Sequence, residues 1–130
     1  MKKTKEPNSI LGWHAHVYFN EQTVNQAEAL CDSVAKRFPE LKKGRIHRQP
    51  VGPHPDWSCQ LAFNTAIFNE VISWLTLNRN GLTIFTHPIT GNELTDHRDR
   101  ALWMGDIRRL DLSCLSDSAN DDKSDLADLL

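Results

Sequence analysis

The sequence lacks several features that define large classes of protein. Its three cysteines, Cys31, Cys59 and Cys114, lie far apart and form no CxxC pair, so neither a zinc ribbon nor a disulfide framework is indicated. Lysine and arginine number 15 against 17 acidic residues, a balance that argues against a general nucleic-acid-binding protein. No long apolar run and no secretory signal is visible. These absences predict a cytoplasmic protein that binds neither nucleic acid nor membrane.

Common enzyme motifs are also missing. The chain contains no GxGxxG, no phosphate loop with lysine, no GxSxG and no HExxH, which removes the classes that those motifs mark. What is present is 130 residues, 39% apolar and 25% charged, the composition of one ordinary domain. We place this domain at residues 10–115. Residues 1–9 are expected to form a flexible tail, and the acidic residues 116–130 a disordered one.

Hydrophobic periodicity predicts four main strands and two helices. Apolar and polar residues alternate along the strands, because strand side chains point to opposite faces with period two. The helices carry apolar residues at three-and-four spacing on one stripe. The predicted strands lie at 13–20, 44–50, 57–63 and 82–87, and the predicted helices at 24–38 and 65–78.

The order of these elements, β-α-β-β-α-β, is that of a ferredoxin-like α+β fold. Right-handed crossovers place the strands in the order 4-1-3-2, all neighbours antiparallel, with both helices on one face. After the fourth strand we expect a loop with a helical turn at 99–104, and then a short strand at 107–112. The second face of the sheet is left uncovered in one chain, which predicts a homodimer formed over it.

The uncovered face of the predicted sheet is rich in histidine. Period two places His14 and His16 on this face, and antiparallel adjacency brings His87 beside them from the end of the fourth strand. Neutral imidazole is a ligand for iron, zinc, copper and nickel. We therefore interpret these three residues as metal ligands. The alternative is a wet, polar sheet face with surface histidines.

Further residues on this face are candidates for substrate binding. Tyr18, Arg45 and His47 share it, and the forked donors of Arg45 suit a carboxylate. The strands themselves carry no carboxylate, so a carboxylate ligand would come from a flanking loop. The candidates for that role are Asp56, Glu93 and Asp96. The tryptophans Trp57, Trp74 and Trp103 are instead predicted to lie in the core.

Two histidines in loops are candidates for acid–base catalysis. His54 and His97 can reach the ends of the histidine-rich face, and imidazole titrates near neutral pH. His54 lies at the end opposite His14 and His16. It can approach the same metal ion only if the loop at residues 52–56 folds over the sheet.

A group of motifs runs in fixed order over about residues 10–106. The motifs are Trp13-His14-Ala15-His16-Val17-Tyr18-Phe19, Pro50-Val51-Gly52-Pro53-His54-Pro55, His87-Pro88 with Thr90-Gly91, and Asp96-His97 followed by Ala101-Leu102-Trp103-Met104-Gly105. Together they resemble the DOPA 4,5-dioxygenase family of small aromatic ring-cleaving proteins. The resemblance covers nearly the whole predicted domain.

The resemblance implies a ferredoxin-like fold, a homodimer, and extradiol opening of a catechol ring by O₂ with non-haem iron(II). DOPA and caffeate are candidate substrates, and zinc or another divalent metal can replace iron in a purified sample. The pattern leaves open which histidines hold the metal. The histidines carried over are His14, His16, His47, His54, His87 and His97. Two alternatives remain: a dimeric metal- or ligand-binding module without turnover, and a hydrolase-type zinc site.

Overall fold

The structure, a computed structural model, describes residues 4–118. Its main elements are five strands of a single sheet and three helices. They are β1 (Gly12–Phe19), α1 (Val24–Arg37), β2 (Lys42–Lys43), β3 (Trp57–Phe63), α2 (Phe68–Asn78), β4 (Thr83–Ile89), α3 (Glu93–Arg98) and β5 (Leu102–Met104). Short 3₁₀ helices cover Pro7–Ser9, Thr65–Ile67 and Leu112–Cys114.

The five strands are all antiparallel and lie in the order β2-β3-β1-β4-β5. The predicted α+β class and the predicted order of the first four strands are therefore confirmed, and β5 is added at the edge beside β4. The central strand β1 pairs with β3 on one side and β4 on the other. His14 lies opposite Ala62 in β3 and His87 in β4.

The hydrophobic core lies between the sheet and the helices α1 and α2. Alternate residues of β1 point into it, and the same alternation in β3 and β4 supplies the rest of the sheet's inner surface. The helices contribute the apolar stripe that their periodicity predicts. The most deeply buried members are Ala15, Val17, Ala27, Cys31, Val34, Cys59, Leu61, Val71, Leu75 and Ile84. This core fixes which side chains of the strands face the other way.

The predicted edge strand at 44–50 is wrong. The paired strand at this edge is β2 alone. Beyond it the Gly44 amide donates one hydrogen bond to the Gln60 carbonyl, and His47 and Ser58 exchange two backbone hydrogen bonds in an isolated bridge. Between these two contacts Ile46 packs against the core. The pairing shifts by one residue between Lys43 opposite Leu61 and His47 opposite Ser58, and this extra residue interrupts the regular ladder.

The region after β4 also differs from the prediction. The helix lies at Glu93–Arg98 rather than 99–104, because Gly91 turns the chain at φ 100° and the Asn92 side chain caps the helix by accepting from the Thr95 amide. The strand at 107–112 is also wrong. β5 pairs with β4 instead, and residues 105–112 run on to contact residues 53–56.

The beginning of the predicted acidic tail is bound to α3. The Leu94 amide donates to the Ser116 carbonyl at 3.1 Å, and the Asn92 side chain donates to the Asp117 carbonyl at 3.2 Å. Of the predicted N-terminal tail, residues 4–9 are described, with a 3₁₀ helix at Pro7–Ser9. Residues 1–3 and 119–130 lie outside the described residues. Over residues 4–118, none of the helices has the length and apolar character needed to cross a membrane.

Candidate metal centre

Three imidazoles meet on the sheet face that points away from the core, named here the histidine face. His14 and His16 are two residues apart on β1, and His87 lies directly across from His14 on β4. Each of the three offers a ring nitrogen, and these nitrogens all lie within 4.8 Å of one another. His16 and His87 are buried and His14 is half-buried. The strand register therefore produces the convergence that the sequence predicted.

A hydrogen bond at Nδ1 of His87 leaves its other ring nitrogen, Nε2, available to bind a metal. Its Nδ1–H donates to the Pro88 carbonyl at 2.9 Å, which leaves the lone pair on Nε2. That Nε2 lies 3.1 Å from the Nε2 of His16. Two metal–nitrogen bonds of about 2.1 Å that meet at a right angle separate their nitrogens by about 3.0 Å. The pair therefore fits adjacent ligands on one ion.

The histidine face is covered within the single chain, contrary to the sequence-based expectation. Residues 50–56, named here the histidine loop, fold over it and place the His54 ring 4.1 Å from the ring of His16. Tyr18 is only 3% exposed and Phe85 is fully buried. Exposure of this face therefore no longer argues for a dimer.

The histidine loop is attached at three points. Asp56 accepts two hydrogen bonds from Arg108, at 2.7 and 2.8 Å, and the Asp111 amide donates to the Pro53 carbonyl at 2.8 Å. The third attachment joins the Tyr18 hydroxyl to Nδ1 of His54 at 2.7 Å. Residues distant in the sequence thus hold His54 over the triad of His14, His16 and His87, named here the histidine triad.

His97 reaches the same site from α3. Its ring centre is 3.8 Å from that of His87. Its Nδ1–H donates to the Glu93 carbonyl at 2.7 Å, so its Nε2 carries a lone pair. His97 borders a cavity of about 400 Å³ that is also lined by His14 and His87. A small molecule in that cavity would touch both His97 and the histidine triad.

None of the three candidate carboxylates belongs to the ligand group found among residues 4–118, although Glu93 and Asp96 line the same cavity as His14, His87 and His97. Asp96 is buried and accepts from the amide and hydroxyl of Thr90, both at 2.8 Å, and from Arg100 at 2.9 Å. Asp56 is paired with Arg108. The exposed Glu93 belongs to no metal-binding group found among residues 4–118, where that group consists of the three histidines alone. The described site therefore offers imidazole ligands only.

Burial keeps four imidazoles of the site neutral, those of His16, His54, His87 and His97. It is the main cause that lowers the pKa of His16 and of His87 well below 6.5, and neighbouring imidazoles lower both further. Burial, followed by the nearby histidines, lowers the pKa of His54 to about 4. The pKa of His97 is lowered too, by burial, against the opposing effect of the Glu93 carbonyl. Neutral imidazole is the form that binds metals.

The predicted substrate-binding residues differ in their exposure. Tyr18 is buried beneath the histidine loop, His47 is half-buried at the β3 edge, and Arg45 is exposed. Their assignment to substrate binding stays a prediction.

The prediction that Trp103 lies in the core is wrong, since β5 places it on the histidine face. It stacks on Phe85 with ring centres 4.6 Å apart and lies 6.1 Å from Tyr18. A second cavity, of about 730 Å³, is lined by Trp103, His97 and Arg108. Sequence reasoning missed Arg108 and Arg100, whose positions follow no period and no motif. Trp103 does lie in a recognised motif, but the apolar pattern around it predicts a position in the core.

Fold and site together define a class of protein: an antiparallel α+β domain with a buried, neutral histidine cluster suited to a divalent metal. The sequence pattern of the Dopa 4,5-dioxygenase family matches residues 13–114, and the chain belongs to this family. The predicted family resemblance is thereby confirmed.

Individual relatives agree with this membership. The chain is 34% identical to a DOPA 4,5-dioxygenase of Amanita muscaria, with 83% of the chain aligned, and 35% identical to a 21.2 kDa uncharacterized protein of Botryotinia fuckeliana, with 75% aligned. It spans 51% and 60% of the lengths of these two proteins. A crystal structure of a candidate dioxygenase from Nostoc punctiforme superposes with a TM-score of 0.82 at 38% identity, covering 84% of this chain and 94% of that one.

Proposed function

We propose that this protein is an extradiol dioxygenase that opens a catechol ring with O₂, using iron(II) held by His14, His16 and His87. The observation that carries the proposal is the convergence of three ring nitrogens within 4.8 Å in a member of the Dopa 4,5-dioxygenase family. The donor set suits a first-row divalent metal, because all three ligands are imidazoles. Burial also lowers the pKa of His16 and of His87 well below 6.5, which keeps these two rings neutral. Bound iron(II) would supply the electron transfer between catechol and O₂ that ring opening requires.

The residues around the triad have separate roles in this proposal. His97 is the base that accepts a catechol proton, because its Nδ1–H is engaged by the Glu93 carbonyl and its Nε2 has the free lone pair. The catechol enters the cavity bordered by His14, His87 and His97. His54 covers the triad from the histidine loop and excludes water there. DOPA and caffeate are the candidate catechols. The homodimer and the cytoplasmic location stay predictions.

Anaerobic loading with iron(II), followed by air and a catechol, tests the activity. With DOPA, caffeate or protocatechuate we expect O₂ uptake and a yellow ring-opened product from at least one. Bound iron with no O₂ uptake on any of them would contradict the proposal and favour a metal- or ligand-binding module without turnover.

Single alanine variants test the ligand assignment. His87→Ala should lose most of its iron, because only two of the three converging nitrogens, those of His14 and His16, remain to hold the ion. His54→Ala should keep its iron and lose turnover by about a hundredfold or more, as expected for a group that contacts the substrate without being a ligand. Metal content of the purified variants is the measurement. His47→Ala is the control for removing an imidazole outside the triad, and it should keep its iron.

The reverse result for iron content in these variants would change the ligand assignment. If His54→Ala loses the iron while His14→Ala keeps it, the histidine loop supplies a ligand and the assignment of the triad is wrong.

A further inference from the structure

The Tyr18–His54 contact is a buried hydrogen bond within the covered site. The Tyr18 hydroxyl lies 2.7 Å from Nδ1 of His54, and the two residues are 3% and 8% exposed. Tyr18 comes from the central strand β1, whereas His54 comes from the histidine loop. The bond therefore joins the rigid sheet to the segment that covers it.

Within the described part of the chain, the Tyr18 hydroxyl has one hydrogen-bond acceptor within reach, which fixes the direction of its bond to His54. Among residues 4–118, the hydrogen bond to His54 is the one that the Tyr18 hydroxyl makes. A buried hydroxyl whose proton has no acceptor is destabilising. The acceptor within reach is Nδ1 of His54, so the Tyr18 O–H donates and Nδ1 accepts.

The direction of this bond decides the tautomer of His54. A neutral imidazole carries its proton on one nitrogen, and accepting at Nδ1 places that proton on Nε2. His54 then has no lone pair on Nε2 to give to a metal. It presents an N–H instead, from a ring 4.1 Å from that of His16.

We propose that Tyr18 is a positioning residue that fixes His54 as a neutral Nε2–H donor over the histidine triad. In this role His54 hydrogen-bonds to an oxygen atom of the substrate and stabilises the negative charge that develops there. It is neither a fourth ligand nor a group that gives up its proton. The kinetic part of this inference rests on the proposed dioxygenase function, whereas the tautomer does not.

His87 and His97 provide the contrast within the same cluster. Both donate Nδ1–H to backbone carbonyls, of Pro88 and Glu93, and so keep the lone pair on Nε2. A carbonyl can only accept, and therefore forces the tautomer opposite to the one that a tyrosine hydroxyl favours. The hydrogen-bond partner at Nδ1 thus decides the role of each ring: His87 and His97 offer a lone pair at Nε2, whereas His54 offers an N–H there.

Histidine ¹⁵N–¹H long-range NMR of the metal-free protein tests the tautomer directly. For His54 we expect a protonated Nε2 and a bare Nδ1, and for His97 the reverse. In Tyr18→Phe, which removes only the hydroxyl, the His54 signals should move toward a mixture of tautomers. Trp103→Phe alters ring packing beside Tyr18 without touching the bond, and should leave the His54 tautomer unchanged. A protonated Nδ1 on His54 in the unaltered protein would overturn the inference.

Kinetics of the iron-loaded protein separate positioning from substrate binding. Tyr18→Phe should lower kcat about tenfold or more, with KM for the catechol and iron content nearly unchanged. The reason is that this variant loses only the fixed orientation and tautomer of His54. Adding His54→Ala should then cost less than it does alone, since the two residues act as a unit. A raised KM at unchanged kcat would make Tyr18 a substrate-binding residue instead. If no catechol is turned over but the tautomer is as expected, the proposed function fails and the positioning role of Tyr18 stands.

Discussion

Asp96 shows how a single buried carboxylate can shape a site without entering it. It is 3% exposed, and its two oxygens accept from the Thr90 amide, the Thr90 hydroxyl and Arg100. These bonds join the end of β4 to α3 and to the residues before β5. The neighbouring residue, His97, depends on them for its place beside His87. Asp96 therefore contributes to the site by holding α3, and with it His97, in position.

Removing the Asp96 carboxylate should destabilise the protein measurably. Asp96→Ala is expected to lower the free energy of unfolding by about 2–3 kcal/mol, since buried hydrogen bonds to a charged group are lost and their donors left unpaired. Urea unfolding of the metal-free protein is the measurement. Asp32→Ala, which breaks an exposed ion pair with Lys43, is the control and should cost less than about 1 kcal/mol. Equal losses in the two variants would contradict the role assigned to Asp96.

At the scale of elements, the periodic segments were predictable apart from the edge strand at 44–50, and the attached segments were not. The alternation in β1 and the apolar stripe of α1 are local signals, because each face of those elements meets a different environment. The histidine loop has no such period. Its position depends on Arg108, Asp111 and Tyr18, which are distant in the sequence. For the same reason the sequence indicated His14, His16 and His87 as neighbours but left His54 at the far end of the sheet.

The attachment of the histidine loop by Arg108 has a testable effect. Arg108→Gln should lower kcat by about tenfold, because small displacements of catalytic groups are costly. It should change the melting temperature little, since the ion pair with Asp56 is partly exposed and such pairs add little stability. Steady-state kinetics and thermal unfolding are the measurements. Arg109→Gln removes the same charge one residue away without breaking that pair, and should have the smaller effect on kcat. If both variants lose kcat equally, charge rather than attachment is the cause.

For the molecule as a whole, the buried histidines make stability depend on pH. In the folded, metal-free protein the pKa values of His16, His54, His87 and His97 are all lowered, whereas histidines of the unfolded chain titrate near about 6.5. Below that pH the unfolded chain binds protons that the folded protein does not. The stability is fully present above about pH 6.5 and is lost as the pH falls toward the lowered values, about 4 for His54.

Urea unfolding of the metal-free protein between about pH 7 and pH 5 should show this loss. Each histidine contributes at most about 1.4 kcal/mol per pH unit to the slope. His54→Ala should reduce the slope by up to that amount, although it also alters packing at every pH. A free energy of unfolding that stays constant or rises over this range would show that the cluster is not held neutral.

The four tryptophans are divided unevenly between the two sides of the sheet. Trp13, Trp57 and Trp74 pack against the core, whereas Trp103 stacks on Phe85 beside Tyr18 on the histidine face. Indole emission depends on the polarity of the immediate surroundings and on aromatic neighbours that quench it. The protein thus carries an intrinsic fluorophore on its histidine face, where Trp103 lines a cavity together with His97. An aromatic molecule that binds in this cavity should change the emitted light without any attached label.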